Sequence, residues 1–279
     1  MSNTTSINSE LFANLVVEAQ MAAYENSVAR QITTVFDAPV NAGKVLQVPL
    51  WDAVTASSLT EGTAASAANT NTNQATITLA EIGVYHQITD MLRDSAYSDV
   101  AAQIGAAAGL SIAEKIDTDV FALFSNFSSD VGPGAGAELT VDHILKAAAT
   151  LRSRKLTGPF YCVLNPLQAY NVKKQLTATG SSNIPALSTV GNNVLSAGYI
   201  GAVAGVQVYE SALVGISGGN AVAGVFHPMA IGHAMRGTLT YEATRQAQNR
   251  ATDLMITAVT GQAVLRSTYG VALTADATL

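Results

Sequence analysis

The sequence predicts an α+β protein with projecting parts that must be covered by its own body or by a neighbour. Three observations carry that reading: one very long amphipathic helix, a period-two stretch interrupted by a polar centre, and a chain unusually poor in charge. The helix spans Ser98 to Phe127, with Val100, Ile104, Ala108, Ile112, Ile116, Val120 and Phe124 on one face and Leu123 and Phe127 closing the last turn. Ser98 or Asp99 caps its start, and Ser128-Ser129-Asp130 followed by Gly132-Pro133-Gly134 stops it. At 1.5 Å per residue it is a strut of about 45 Å. A transmembrane span does not fit, because Gln103 and Ser111 interrupt the stretch and Glu114, Lys115, Asp117 and Asp119 follow. The small residues between Ala101 and Gly109 let another backbone approach closely.

Composition narrows the class. Hydrophobic residues make up 48% of the 279 residues and charged ones 12%, against about 25% charged in an ordinary soluble domain. A surface so low in charge and rich in Ala, Thr, Ser, Asn and Gly suits burial against other protein; a neutral soluble surface is the alternative. The net charge of −6 argues against tight nucleic-acid binding through phosphate neutralisation. The single Cys162 leaves no internal disulfide framework and reads as an inert core thiol in the strand Pro159–Leu164. The start, MSNTTSINSE, has neither a basic nor an apolar core, so no signal peptide is expected and the product stays in a cytoplasm.

Taken in order, residues 8–36 read as an arm of one or two helices. Leu11, Leu15, Ala19 and Ala23 form a ridge, Val28, Ile32 and Val35-Phe36 continue it, and Asp37-Ala38-Pro39 ends it. From Lys44 to His86 the period becomes two. Leu46, Val48 and Leu50 alternate with Val45, Gln47 and Pro49, Trp51 follows, and a return strand carries Ile77, Leu79, Ile82 and Val84 around a polar tip near Glu61-Gly62. A two-stranded hairpin is marginal alone and offers two unpaired edges, so it must lie on its own body or on a neighbour. No Lys or Arg stands between Lys44 and Arg93, while Asp52, Glu61, Glu81 and Asp90 are acidic; Arg236, Arg245, Arg250 and Arg266 come late in the chain. An acidic arm and an Arg-bearing body can pair between copies; the alternative is two unrelated solvated surfaces. Beyond the long helix the expected elements are a helix from Thr140 or Asp142 past Leu151, a strand at 160–164, a helix from Asn165 or Pro166 to Leu176 and a loop over 177–193. Strands at 199–210 and 221–226, a short helix at 228–235 and strands at 238–245, 253–260 and 263–273 complete the chain.

Several patterns imitate chemistry. Gly215-Ile216-Ser217-Gly218-Gly219 matches G-x-S-x-G, but a nucleophile elbow needs strand, serine, helix, then acid before histidine. Asn220 leads straight into a strand, and His227 and His233 precede Asp253, so a glycine hairpin turn is expected. Gly132, Gly134 and Ala137 follow a helix rather than a strand and form a linker, not a dinucleotide loop. His227 and His233 stand six apart, unsuited to a zinc pair, and with His86 and His143 read as satisfied structural histidines. Glu114, Asp117 and Asp119 read as a solvated helix face. No metal, cofactor or catalytic residue is expected.

The order of elements, with VPLWDAVTASSLTEGTAAS (48–66), the stretch from Ala75 to Phe124, FYCVLNPLQAYNVKKQL (160–176) and VFHPMAIGHAMRGTLTYEATRQ (225–246), resembles the major capsid proteins of tailed bacteriophages. These have the Hong Kong 97-type fold, and the likeness is of a cyanophage-like kind. The resemblance implies an N-terminal arm (1–43), an extended β-hairpin loop (44–86), a peripheral domain with the spine helix (87–139), an axial domain (140–235) and closing peripheral strands (236–279). It implies hexamers and pentamers of an icosahedral virion shell assembled in the host cytoplasm around weakly contacted double-stranded DNA, with a portal and scaffold or decoration proteins as partners and no membrane. Trp51, Asp52, Glu61, Glu81, Arg236, Arg245 and Arg250 are the expected contacts between copies, with Glu61 pairing to Arg245 or Arg250 of a neighbour. Some relatives link a lysine of the extended loop covalently to an asparagine; here that loop has no lysine beyond Lys44 at its base, so no such link is expected. The start is too short for a fused scaffold. An encapsulin-type compartment shell is the rival of the same fold, and a Ser217-dependent hydrolase the rival of another class.

Overall fold

The computed structural model describes residues 27–40, 43–51, 72–95, 100–177 and 201–278, with isolated positions at 19, 54, 56, 58–59, 61–62 and 64. Among the described residues the named helices are α1 (Ala29–Ile32), α2 (Asp90–Ser95), α3 (Val100–Ala122), α4 (Val141–Ser153) and α5 (Pro166–Thr177). The strands are β1 (Thr34–Asp37), β2 (Val45–Trp51), β3 (Thr72–Thr78), β4 (Ala80–Thr89), β5 (Phe160–Leu164), β6 (Ala202–Val203), β7 (Val206–Glu210), β8 (Ile216–Ser217), β9 (Asn220–Phe226), β10 (Ile231–Gln246), β11 (Ala251–Val264) and β12 (Gly270–Asp276). Among the described residues they pair as β1-β10-β11-β4, as β12-β9-β5-β7-β6 with β8 paired to β9, and as the separate pair β2-β3.

The spine helix α3 has 23 residues, a rod of about 34 Å, continued by a 3-10 turn at Leu123–Asn126. Its expected face is the buried one. Ala108, Ile112 and Ile116 pack with Leu239, Leu254, Ile256 and Ala258 of the four-stranded sheet. Val120, Phe121, Phe124 and Phe127 pack with Val163, Ala221 and Phe226 of the six-stranded sheet. The helix therefore bridges two sheets, and each of its large apolar side chains contributes about 1.5–3 kcal/mol by burial. Phe124 lies 5.4 Å from Phe226, ring centre to ring centre, so the strut ends in an aromatic joint. The expected close backbone approach occurs at Gly109, where a Cβ would stand 2.2 Å from the carbonyl oxygen of Ala19. Among the described residues no helix is long and apolar enough to cross a membrane.

On the other face of the six-stranded sheet, α4 and α5 enclose Cys162, Leu164, Val225 and Leu273. Helix α4 starts at a reciprocal cap in which Thr140 and His143 bond each other's backbone or side chain. Burial pushes the Cys162 thiol far up, as an inert core thiol requires.

Four sequence expectations change. Val35 and Phe36 do not continue a helix: α1 stops at Ile32, and Thr34–Asp37 pairs in parallel with Gly232–Met235. The helix expected over 228–235 shrinks to a 3-10 turn at Pro228–Ala230, because Ile231–Met235 bonds to β11 on one side while β1 covers most of it on the other. The strand expected over 199–210 is a tight hairpin, β6-β7, with Ala204 and Gly205 both at positive φ. The closing segment 236–279 divides: β10 and β11 remain with the spine helix, while β12 crosses to pair with β9. The helices expected between residues 8 and 26 and the loop over 178–193 lie outside the described residues, apart from Ala19 in a helical conformation.

Candidate assembly surfaces

Hairpin β2-β3 pairs from Val45 with Thr78 to Trp51 with Thr72 and, among the described residues, joins no other sheet. Its alternation follows the expected period. Leu46 and Val48 turn towards the buried cluster of Ala38, Ile77, Leu79 and Ala234, while Val45 and Trp51 face outward, Trp51 with 64% of its surface exposed. The return strand changes sheets at Leu79: Ile77 and Leu79 are buried at the hairpin base, and Ala80–Thr89 becomes the edge strand of the four-stranded sheet. At the base a Cβ on Gly261 would meet the Thr78 carbonyl oxygen at 2.4 Å, so hairpin and body touch backbone to backbone. The hairpin is thus seated along one face and open on the other, with an indole at the open end.

The expected contact residues fall into two groups. Glu61 sits in an exposed turn with Gly62, Glu81 is exposed on β4, and Asp52 lies outside the described residues. The arginines are already engaged in their own chain. Arg236 donates through Nη2 to the Gly43 carbonyl. Arg245 grips Asp90 with two hydrogen bonds of 2.7 Å, and the carboxylate so placed raises the guanidinium pKa further. Arg250 reaches the same carboxylate only at 4.0 Å and keeps 79% of its side chain exposed. Arg250 therefore presents the more open cation, and Arg245 serves first to fix the start of α2, where Met91 and Leu92 are exposed.

Two buried titratable groups depart from the sequence expectation. Asp117 is not on a solvated face. It accepts hydrogen bonds from Ser27 Oγ at 2.6 Å, Val28 N at 2.9 Å and Ala29 N at 3.2 Å, tying the arm to the spine helix. Desolvation raises its pKa although those three donors oppose the shift. His227 is satisfied, accepting from Met229 N at its Nδ1. His233 is not: it is fully buried, neither ring nitrogen has a hydrogen-bond partner among the described residues, and its Cα partners are Val35 and Gln262. Burial, then the nearby Arg30 charge, lowers its pKa to about 4. Only its spacing from His227 was visible in the sequence; its lack of partners is a product of the sheet.

Ser217 lies in the expected glycine turn. It pairs with Asn220 across Gly218 and Gly219, which have φ of +58° and +80°, the two-residue geometry that glycine supplies at both central positions. A strand follows it, so the strand–serine–helix corner of a hydrolase is not formed.

Three solved structures share this architecture. A chain from Mycobacterium phage Che8 is 20% identical, with a TM-score of 0.64 over 83% of this chain and 84% of that one. The capsid structure of cyanophage P-SCSP1u is 19% identical, with a TM-score of 0.66 over 88% and 87%. The mature capsid of bacteriophage PhiM1 is 16% identical, with a TM-score of 0.67 over 89% and 86%. No curated protein matches the chain. Spine helix, seated hairpin and paired sheets are those of a Hong Kong 97-type capsid subunit. The profile of the phage capsid protein family matches residues 72–278, and the chain belongs to that family. It is a structural protein of the virion shell, a major capsid protein of the tailed-phage kind.

Proposed function

We propose that copies of this chain gather as hexamers and pentamers into an icosahedral shell around double-stranded DNA, and that the hairpin of each copy completes its neighbour. The observation that carries this is the hairpin itself: two strands outside every other sheet, seated on one face only, with Trp51 outward. Each contact is modest, and repetition around a closed shell multiplies it. In this reading Trp51, Asp52, Glu61, Glu81 and Arg236 border the contacts between copies, and Glu61 near the tip meets an arginine of a neighbour. The exposure of Arg250 favours it over Arg245 for that role. Assembly takes place in the host cytoplasm, with a portal and scaffold or decoration proteins as partners. The net charge of −6 keeps the grip on packaged DNA weak.

Glu61→Arg tests the contact. It is expected to reduce particle yield, with rescue by Arg250→Glu in the same chain; normal particles with unchanged salt tolerance would contradict it. The contents of purified particles decide between a genome shell and an encapsulin-type compartment: nucleic acid supports the first, enclosed cargo enzyme the second.

A further inference from the structure

Hairpin β2-β3 has three kinds of attachment to the body. Its base is buried through Ile77 and Leu79, its inner face packs through Leu46 and Val48 against the cluster that also holds Ala38 and Ala234, and at the far end of the paired strands the Trp51 carbonyl accepts a 2.5 Å hydrogen bond from Arg266 Nη2. The first two are apolar contacts at and near the base, where Gly261 also meets Thr78 backbone to backbone and Arg236 donates to the Gly43 carbonyl. The third is directional and sits where the hairpin leaves the body.

The residue making it stands on a fixed platform. Backbone amides of Leu265 and Arg266 both donate to the Ala230 carbonyl. Ser128, just past the spine helix, donates to Ser267 O through both its amide and its hydroxyl, and Arg154, the residue that caps the end of α4, donates to Thr268 O. His227 N donates to Tyr269 O, and the Arg266 guanidinium lies 5.2 Å from the Tyr269 ring centre, a cation–π support that limits where its donors point. The turn at residues 266–269 is thus held from the spine helix, from α4 and from the strand junction at once.

We propose that Arg266 is the positioning residue of the shell contact: it clamps the exit of the hairpin and so fixes which neighbour, and at what curvature, the tip reaches. The clamp acts through the Trp51 carbonyl and leaves the indole free to face outward. The proposal rests on the shell reading above, but the clamp is measurable without a shell.

The test is amide hydrogen exchange on unassembled subunits, joined to the size distribution of assembled particles by electron microscopy. Arg266→Met removes the donors and keeps an apolar stem; it is expected to speed exchange at Leu50, Trp51 and Thr72 at least tenfold, leave Val45 and Leu46 unchanged, and broaden particle diameters. Arg266→Lys, with one reaching donor, gives an intermediate result. Tyr269→Leu, which leaves the arginine but removes its ring support, moves exchange in the same direction and keeps the test open if the methionine variant misfolds. Unchanged exchange at Leu50–Trp51 in folded variants overturns the clamp. Faster exchange with particles of wild-type diameter overturns its control of shell geometry. Wild-type subunits that form no particles would defeat the shell reading while leaving the exchange result to stand on its own.

Discussion

His233 makes the subunit sensitive to acid in a way that can be worked out from its surroundings. The ring is fully buried on β10, the strand between β1 and β11, with both nitrogens unpartnered among the described residues and Arg30 of α1 close enough to oppose a second positive charge. In the unfolded chain it titrates near its ordinary value of 6.5, in the folded chain at about 4. A base whose pKa is depressed by folding leaves stability intact above the unfolded value and removes it as pH falls, because the unfolded state binds the proton first. The loss is about 1 kcal/mol at pH 6, about 2 kcal/mol at pH 5, and levels off at about 3 kcal/mol below the folded value. Asp117 shifts the opposite way, its raised pKa making the ionised form the costly one, so its protonation partly offsets the loss at low pH. Urea unfolding of unassembled wild-type and His233→Leu subunits at pH 7.5, 6 and 5 isolates the histidine, since all other groups are shared. The wild type should lose about 2 kcal/mol more than the variant between pH 7.5 and 5. A difference between the two proteins that stays constant with pH would refute the reasoning.

Three further outcomes follow from the packing. Gly109→Val forces a side chain into the Ala19 backbone, where a Cβ already stands 2.2 Å from the carbonyl oxygen; a loss of at least about 2 kcal/mol is expected in chemical denaturation, with easier proteolysis of the arm. Gly261→Val meets Thr78 in the same way and should unseat the hairpin base, lowering assembly yield more than helix content measured by circular dichroism. Arg245→Met frees Asp90 from its bidentate partner; a small fall in melting temperature is expected, smaller again in high salt, because the pair is partly exposed and screened.

What could be read in the sequence was what local physics decides. The spine helix announced itself because its apolar residues recur at helical spacing over many turns, and the hairpin because period two ran into a polar centre. Ser217 was placed in a turn by its glycines and by the strand after it. Ile231–Met235 gives no strand signal in the sequence because it is buried on both faces, between the spine helix and the hairpin base, and so shows no polar–apolar alternation to distinguish strand from helix. Val35-Phe36 failed for a related reason, being a short edge strand whose parallel partner lies some two hundred residues away. Asp117 looked like one more charge on a helix; only the arm folding back onto it shows that it is a buried acceptor. The engagement of Arg245 by Asp90 was equally out of reach, since that pairing depends on strand register rather than on spacing.

The central claim is that the subunit is finished by its sisters. Cryo-electron microscopy of the purified chain at assembly concentration tests it most directly. Closed hollow shells with icosahedral symmetry, in which the outer face of Val45–Trp51 is covered by an adjacent copy, are the expected result. A population that stays at 28.8 kDa at every concentration, with Trp51 still open to solvent, would contradict it.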